Sequence, residues 1–439
     1  MTFNFNKFIK HSFLVATAFA LVTSCNKDVE GPTPIITPQP TGQSLLEVIN
    51  SDANLTILKA AVARAASNTT FGNSLTTILA DKNASYTVFA PTDAAFQSAF
   101  QFLGIPPAVG VNALRPGQLD TIIRYHIVGG RVNGDTIARR SPNIQLPTQL
   151  VLQAPSTAVP PGLRMSVFAS RVGTTYFVNN VPVTQADQVV ANGIIHKIAA
   201  VLLPPSQFLW NRIDTDPNLT YLKAAIQRGD SGVVAASTLM AALQNPAANL
   251  TVFAPTDAAF RQVLTQQITG GLIPVVTQQL IPVITQQLIA GGATPAQAAA
   301  QAPALAAAQA PAIAQTQAAA LASTPAVFAN PALSSVLTPT NVRGLVAYHL
   351  LGNRRFSVNI PATATPIPTL AHSAVPALPL ITIQATFGPT GVTAATVKGG
   401  ANATASNIQI NPTPAPAGTS DQNYINGILH IIDQVLRPQ

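Results

Sequence analysis

Four histidines recur in two short motifs, and histidine is well suited to metal binding and to proton transfer near neutral pH. His126 and His349 each follow a tyrosine, whereas His196 and His430 each end an Asn-Gly-Ile-Ile/Leu-His motif. A zinc site needs three or four converging ligands, but the sequence has one cysteine, few acidic residues and no His-x-x-x-His motif. The Gly-x-Ser-x-Gly elbow of serine hydrolases is also missing. We therefore predict a non-enzymatic protein with no catalytic residues, no metal and no cofactor.

A second motif, Thr-Val-Phe-Ala-Pro-Thr-Asp-Ala-Ala-Phe, occurs identically at residues 87–96 and 251–260. Its first half is rich in β-formers, and the Pro-Thr-Asp that follows predicts the end of a strand and the start of a helix. Either the threonine or the aspartate at such a junction can cap the helix that follows. The predicted caps are Thr92, Asp93, Thr256 and Asp257.

The histidine motifs also have a structural interpretation. Asn-Gly before a β-branched run predicts a turn that enters a strand, and Tyr-His predicts a partly buried pair whose polar atoms bond to the backbone. The Asn-Gly motif residues are Asn192, Gly193, His196, Asn426, Gly427 and His430. One acid recurs five residues before each Asn-Gly pair, as Asp187 and Asp421.

These motifs occur twice because the chain contains an internal repeat. The two copies are separated by 164 residues at Thr-Val-Phe-Ala-Pro, by 223 at Tyr-His and by 234 at Asn-Gly. The second copy is therefore longer than the first, mainly before its Tyr-His pair. We predict two domains, at residues 44–204 and 206–438.

The elements that must position the motifs follow the same order in each copy. Leu55, Leu58 and Val62 lie on one face at helical spacing, and another apolar helical stripe leads into Tyr-His. Short β-rich runs separated by Gly, Pro and Asn then continue to the end of each copy. Helices followed by strands predict an α+β fold.

The three motifs, in this order and in both copies, resemble those of fasciclin (FAS1) domains. The resemblance covers almost all of residues 44–438 apart from one insert. It implies two tandem domains, each a wedge of β-strands with flanking helices, in a secreted or membrane-anchored protein of cell adhesion and matrix binding. In animal relatives the Tyr-His region and the segment before Asn-Gly are linked to integrin binding. The candidate binding residues implied by this resemblance are Tyr125, His126, Asp187, Tyr348, His349 and Asp421.

The N-terminus has the features of a lipoprotein signal peptide over residues 1–24. Lysines precede an apolar run of ten residues, which is shorter than the roughly 20 needed to span a membrane. The Val-Thr-Ser-Cys that follows resembles a bacterial lipobox, which implies lipid attachment at Cys25. Residues 25–43 are Pro-rich and predict an extended tether. The residues after the cysteine resemble the surface-export signal of Bacteroidetes lipoproteins, so we expect an outer-membrane protein that faces the cell exterior.

The formal net charge of +8 reflects a shortage of acids, since 23 Lys and Arg stand against 15 Asp and Glu. Loss of residues 1–24 removes two lysines and no acids, which lowers the charge to +6. Binding to nucleic acid depends on clustered Lys and Arg, and the sequence has no basic stripe with interleaved aromatic residues. We therefore expect no nucleic-acid partner.

The insert in the second copy, residues 265–330, is a low-complexity segment rich in Ala, Gln and Pro. Alanine and glutamine favour a helix, but a proline recurs every eight residues and breaks or kinks helices. We predict short helical pieces that pack loosely, or partial disorder. The segment is either a tolerated surface expansion or an adhesive or self-associating arm. No further segment is expected to span a bilayer, because the best candidate contains two prolines and two Gln-Gln pairs.

The leading hypothesis is a non-enzymatic cell-surface adhesion lipoprotein. Its two fasciclin domains would bind an extracellular protein, a polysaccharide or another cell surface, and its lipid would bind the membrane. The alternative is a glycan-capture component of an outer-membrane uptake system. One Trp and six Tyr are few for sugar-stacking platforms, which argues against this alternative.

Overall fold

The computed structural model describes residues 41–68, 70, 74–152, 162–388, 391–411 and 418–438. Thr41–Gln439 form one compact unit. The predicted signal peptide, the lipid-attachment site Cys25 and nearly all of the tether lie outside the described residues.

The first half begins with helices and continues with strands, as the sequence predicts. Its helices are α1 (Leu45–Ser51), α2 (Thr56–Ala65), α3 (Leu75–Ala80), α4 (Asp93–Phe102), α5 (Pro116–Tyr125) and α6 (Gly134–Ala138). Its strands are β1 (Tyr86–Pro91), β2 (Ile127–Gly129), β3 (Ile144–Val151), β4 (Arg164–Val172), β5 (Thr175–Val178), β6 (Val181–Val190) and β7 (Gly193–Ile198). These seven strands close into a barrel in the order β1 to β7.

The second half repeats this plan with two much longer helices. Its helices are α7 (Leu209–Thr215), α8 (Thr220–Gly229), α9 (Leu239–Gln244), α10 (Asp257–Ala290), α11 (Pro295–Leu321), α12 (Pro339–Ala347) and α13 (Leu370–Ala374). Its strands are β8 (Leu250–Pro255), β9 (Leu350–Leu351), β10 (Thr365–Ile367), β11 (Ile381–Gly388), β12 (Gly391–Lys398), β13 (Ser406–Ile408), β14 (Gln422–Tyr424) and β15 (Gly427–Ile432). They form one sheet in the order β10-β11-β12-β13-β15-β8-β9, with β14 paired to β15. The α+β prediction is confirmed in both halves.

The three sequence motifs meet on three adjacent strands in each half. Strand β1, which carries Thr-Val-Phe-Ala-Pro, pairs in parallel with β7 of the Asn-Gly motif and antiparallel with β2, which follows Tyr-His. The corresponding trio in the second half is β8, β15 and β9. The register is the same in both halves, because Phe89 lies opposite His196 and Phe253 lies opposite His430. Motifs that are far apart in sequence therefore belong to one structural centre per half.

The insert differs from its prediction, because it forms two long helices rather than short, loosely packed pieces. Helix α10 extends the counterpart of α4, and α11 packs along it as a helical hairpin. The prolines inside these helices, Pro274, Pro282, Pro303 and Pro311, are all exposed. On that side water can hydrate the carbonyl that loses its helical partner. Packing between the helices therefore outweighs the local cost of the prolines.

Helix α10 also bears on the prediction that no further segment spans a bilayer. Among the described residues, it is the one helix long and apolar enough to cross a membrane by length and composition, with a mean hydropathy of 1.4 in its best window. Its first turns belong to the core of the second half, where Phe260, Leu264 and Ile268 are buried. Its distal part packs against α11.

Candidate functional site

The asparagine of each Asn-Gly motif ties three backbone segments together. The Oδ1 atom of Asn192 accepts a hydrogen bond from the backbone N–H of Leu45, and its Nδ2 donates to the carbonyl oxygens of Leu79 and Asp81. Asn426 makes the same bonds, accepting from Leu209 N–H and donating to the carbonyls at the end of α9. Both side chains are fully buried. The motif is thus more than a turn, because it fixes the first helices of each half to the sheet.

The glycine of the motif allows the sheet to close tightly. A Cβ atom at Gly193 would overlap the carbonyl oxygen of Tyr86, and one at Gly427 would overlap that of Leu250. Since backbone cannot yield as a side chain can, only glycine fits at these two positions.

The histidine of the motif also bonds to the backbone of the recurring acid, which in the first half lies in β6 where the strand register shifts. The Nδ1 atom of His196 accepts a hydrogen bond from the backbone N–H of Asp187, and its Nε2 lies 2.8 Å from the carbonyl oxygen of Val132. The neutral ring therefore carries its proton on Nε2, and it stacks on Phe89 with centroids 5.4 Å apart. Burial lowers the pKa of His196, although the bond to Val132 and the charge of Asp187 oppose this shift. His430 has the same geometry in the second half.

Both acids adopt a left-handed backbone conformation, with φ of 62° at Asp187 and 54° at Asp421. This region costs a non-glycine residue energy, and the N–H bond to the motif histidine is one interaction that holds it. Each carboxylate also accepts a hydrogen bond from the first backbone N–H of a short helical turn, from Gly134 in the first half and from Ser357 in the second. The carboxylates are therefore positioned by the fold rather than freely rotating.

The two acids differ in what covers them. Asp421 is only 9% exposed, and Asn180 of the first half donates to its Oδ2 at 2.8 Å. Asp187 is exposed. Its neighbour Tyr176 has its hydroxyl on the same side of Gly134 as the Asp187 carboxylate. The guanidinium of Arg171 in turn lies 5.7 Å from the centroid of the Tyr176 ring. Of the six candidate binding residues, Asp187 is the one that this structure presents to solvent.

The Tyr-His pairs are buried supports. The N–H of Leu202 donates to Nε2 of His126, and Nδ1 of His126 lies 2.8 Å from the carbonyl oxygen of Ile122, so the proton sits on Nδ1. His349 repeats this arrangement. Tyr125 donates from its hydroxyl to the carbonyl of Ser166. The side chains of Tyr125, His126, Tyr348 and His349 are at most 2% exposed. They have no surface to offer a partner in this structure, so any effect they have on binding must be indirect.

The four predicted caps divide into two roles. Thr92 accepts from the N–H of Ala95 and caps α4, as predicted, and Thr256 does the same for α10. Asp93 instead caps α2, where it accepts from Thr56 Oγ1–H at 2.6 Å and from the N–H of Ile57 at 2.8 Å. Asp257 makes the equivalent bonds to the start of α8. The aspartates therefore cap a helix that lies before them in the chain, not the helix they begin.

The described residues contain no group of three or more His, Cys, Asp and Glu side chains that could hold a metal ion. The site has one exposed carboxylate and buried histidines whose ring nitrogens are occupied by the backbone. This arrangement supports recognition by hydrogen bonding.

Comparison with known proteins agrees with the motifs. The fasciclin domain model matches residues 44–204. A fasciclin domain is present. Comparison with curated proteins gives no significant match.

One solved structure similar to this chain is described as a FAS1 domain pair from the insect cell adhesion molecule fasciclin I. It shares 15% sequence identity, with 82% of this chain and 92% of that chain covered and a TM-score of 0.28. That score is too low to transfer positions between the two chains. The second half of the protein, which repeats the motifs, contacts and strand pairing of the fasciclin domain, is fasciclin-like.

Sequence reasoning missed two arginines that brace the Asn-Gly loops. Arg131 of the fasciclin domain donates to the carbonyls of Val190, Ala191 and Gly193. Arg354, its counterpart, donates to the carbonyls of Tyr424 and Ile425. A signal was present, since each arginine follows its Tyr-His histidine by five residues.

Arg354 also belongs to a contact between the fasciclin domain and the fasciclin-like domain. Its guanidinium lies 4.8 Å from the ring centroid of Phe168, and burial lowers its pKa to about 10. Phe168 packs near Phe356 in an apolar cluster shared by both domains. Across the same boundary Asn143 donates to Oδ1 of Asn359 and to the carbonyl of Arg354, and Asn359 donates to the carbonyl of Pro142. The two domains are therefore joined by a packed interface.

We expect Phe356→Ala to lower the free energy of unfolding by about 3–5 kcal/mol, because it empties this interdomain cluster. Chemical denaturation should show the loss, and it should show the two domains unfolding in separate transitions. Phe102→Ala is the matched control, since Phe102 is half exposed and surface substitutions usually change stability by no more than about 0.5 kcal/mol. Equal losses in the two variants would contradict the packed interface.

Proposed function

We propose that this protein is a lipid-anchored, non-enzymatic adhesion protein of the cell surface, which holds an extracellular protein or polysaccharide through its two domains. The observation that carries the proposal is the fasciclin domain at residues 44–204, because fasciclin domains are adhesion-type binding modules. The predicted signal peptide and Cys25 support a place outside the cytoplasm with a lipid in the membrane.

Asp187 is our proposed ligand contact. Its carboxylate is exposed and is held on a fixed backbone by Gly134 and His196. A preorganised acceptor loses little conformational freedom when a ligand hydroxyl or amide binds to it. The neighbouring Tyr176 adds an amphipathic ring of the type that favours interfaces.

The experiment measures binding of residues 41–439 to matrix proteins, to a glycan array and to whole cells. Once a ligand is identified, Asp187→Asn is expected to weaken its binding about tenfold, the size of a lost charge-assisted hydrogen bond. The thermal stability should change little, because an asparagine oxygen can still accept from Gly134. Asp214→Asn is the control, since it removes an exposed carboxylate elsewhere.

Failure of residues 41–439 to bind any matrix protein, glycan or cell would overturn the proposal. Equal binding by the Asp187→Asn variant would be compatible with adhesion but would show that Asp187 is not the ligand contact. The anchor is tested separately in the full chain, where Cys25→Ser should release the protein from the membrane fraction.

A further inference from the structure

The distal part of the α10–α11 hairpin consists of two helices that pack mainly on each other. One cluster joins Val276 to Ala310 and Ala314, and a second joins Ile284 to Ala302 and Ala306. The partly buried side chains around both clusters also come from α10 and α11. One face of each helix is thus covered, and the opposite face has no partner among the described residues.

The sequence of the hairpin follows a unit of eight residues. In α10 the unit Thr-Gln-Gln-Leu-Ile-Pro-Val-Ile at 277–284 follows Thr-Gly-Gly-Leu-Ile-Pro-Val-Val at 269–276. Every fourth side chain from Leu272 to Leu288 faces α11. The sixth and seventh residues of each unit face solvent, and they are Pro274 and Val275 in the first unit and Pro282 and Val283 in the second. The repeat therefore gives α10 two regular faces, an inner one that is packed and an outer one that is not.

The outer face is apolar and uncharged. Val275 is 50% exposed, Val283 is 48% exposed and Leu305 of α11 is 40% exposed. Residues 262–342 contain no Asp, Glu, Lys or Arg, so this face offers no ion pair to a charged partner. Its other exposed side chains include the Gln-Gln pairs, and an amide both donates and accepts hydrogen bonds. Such a face is complementary to a second copy of itself.

The hairpin is large enough for a stable pair. From residue 269 to residue 290 α10 is roughly 33 Å long at 1.5 Å per residue, and two adjacent helices are about 20 Å wide. One face then covers roughly 650 Å² per copy, or about 1,300 Å² in a pair, within the usual range for specific interfaces. Two hairpins face to face also form four helices around one core, a common stable arrangement.

We propose that the hairpin docks against the hairpin of a second copy of this chain, as a two-fold symmetric four-helix bundle. A two-fold axis places the same surface on both sides of the contact, which suits a neutral, repetitive face. The pairing does not involve Asp187 and does not depend on ligand binding by either domain.

A lipid bilayer is the competing occupant, and the hairpin fits it less well. Both helices of a hairpin must cross together, but α10 is the one described helix that reaches the required length and hydropathy. Helix α11 lacks that apolarity, and the exposed Gln-Gln pairs of α10 would lie in hydrocarbon without partners. A second protein copy satisfies the same side chains at lower cost.

Sedimentation of residues 41–439 over a range of concentrations tests the pairing, since this compact unit contains the core clusters of both domains. The wild type should dimerise. The double variant Val275→Glu/Val283→Glu should remain monomeric with unchanged helix content, because it would bury four like charges in the bundle. The matched control Val234→Glu/Val375→Glu changes two valines at least half exposed elsewhere, and it should dimerise like the wild type.

A second variant shortens the arm without touching its base. Deleting residues 277–284 with 301–308 removes one unit from each helix and retains the packing around Phe260 and Leu264. The dimer should weaken at least about tenfold, because roughly a third of the interface is lost. A monomeric wild type would overturn the proposal. Binding to lipid would also overturn it. In that case the wild type would float with neutral phosphatidylcholine vesicles and the Val275→Glu/Val283→Glu variant would not, which would assign the face to lipid.

The outcomes separate this inference from the proposed function. The Val275→Glu/Val283→Glu monomer should still bind the ligand through its domains, and Asp187→Asn should still dimerise. A protein that dimerises but binds no ligand would refute only the adhesion proposal.

Discussion

Acidification from about pH 6.5 to about pH 4 should remove roughly 3 kcal/mol of stability from each domain, through His126 in the first and His349 in the second. Burial lowers the pKa of both rings to about 4, and the bonds to the backbone carbonyls offset only part of this effect. The charged form is incompatible with this geometry, because Nε2 of each ring accepts a hydrogen bond from a backbone N–H and cannot do so when it carries a proton.

The direction follows from the proton balance. In the unfolded chain these histidines protonate near pH 6.5, whereas in the folded chain they stay neutral until about pH 4. The unfolded state therefore binds more protons within this window, and stability falls as the pH falls. Burial also raises the pKa of Asp52, but its bonds to Lys197 and Asn54 outweigh this and lower it. Its stabilisation is therefore lost at lower pH than that of the histidines.

Urea denaturation at a series of pH values measures the effect. The variant His126→Gln/His349→Gln should be less stable at neutral pH, because it disturbs the bonds to Leu202 and Leu436. It should then lose much less further stability between about pH 6.5 and pH 4 than the wild type does. An identical acid-dependent loss in both proteins would show that other groups cause it.

Asn192→Ala should destabilise the fasciclin domain by about 4 kcal/mol. The substitution leaves the N–H of Leu45 and the carbonyl of Leu79 without a partner in a buried site, and each such loss costs about 1–3 kcal/mol. It also removes one of two bonds to the carbonyl of Asp81, which keeps the bond from the N–H of Ala84. Asn192→Asp should be at least as harmful, because it replaces the amide donor with a carboxylate that faces two carbonyl oxygens.

Calorimetry or chemical denaturation provides the measurement. Asn426→Ala should give a similar loss in the fasciclin-like domain, since its bonds are equivalent. Asn50→Ala is the control at an exposed position of α1, and it should change stability by no more than about 0.5 kcal/mol. Losses below about 1 kcal/mol in both motif variants would show that the Asn-Gly loop is not the anchor described above.

The sequence was sufficient for the α+β class and for the local parts of the site. The order of helices and strands predicts the α+β class. The motifs mark β1, β7 and the approach to β2, but their pairing as one trio is seen only in the structure. The cap at Thr92 was predictable because it bonds within its own helix. The alternative cap, Asp93, is also a helix cap, but its bonds reach the start of α2, 36 and 37 residues earlier. A capping rule considers only neighbouring residues in the sequence, so it cannot predict a bond over this separation.

Two other features depend on tertiary structure. Asp421 is buried and accepts a bond from Asn180 of the other domain, whereas Asp187 is exposed, and the repeat does not reveal this difference. The prediction of short helical pieces in the insert was wrong, because helix propensity treats every proline as a local break. The effect of a proline on a packed helix depends on the side of the helix that it occupies. Residues 274 and 282 lie on the outer side, so the helix continues through them.

The eight-residue repeat of the hairpin also has an evolutionary consequence. A gene segment built from near-identical units can gain or lose whole units by slippage during replication. Each unit gained in both helices would lengthen the arm by about 12 Å, and neither the inner packing nor the domain at its base would need a compensating substitution. The reach of the arm would therefore change in fixed steps with the number of units, while both domains stayed the same.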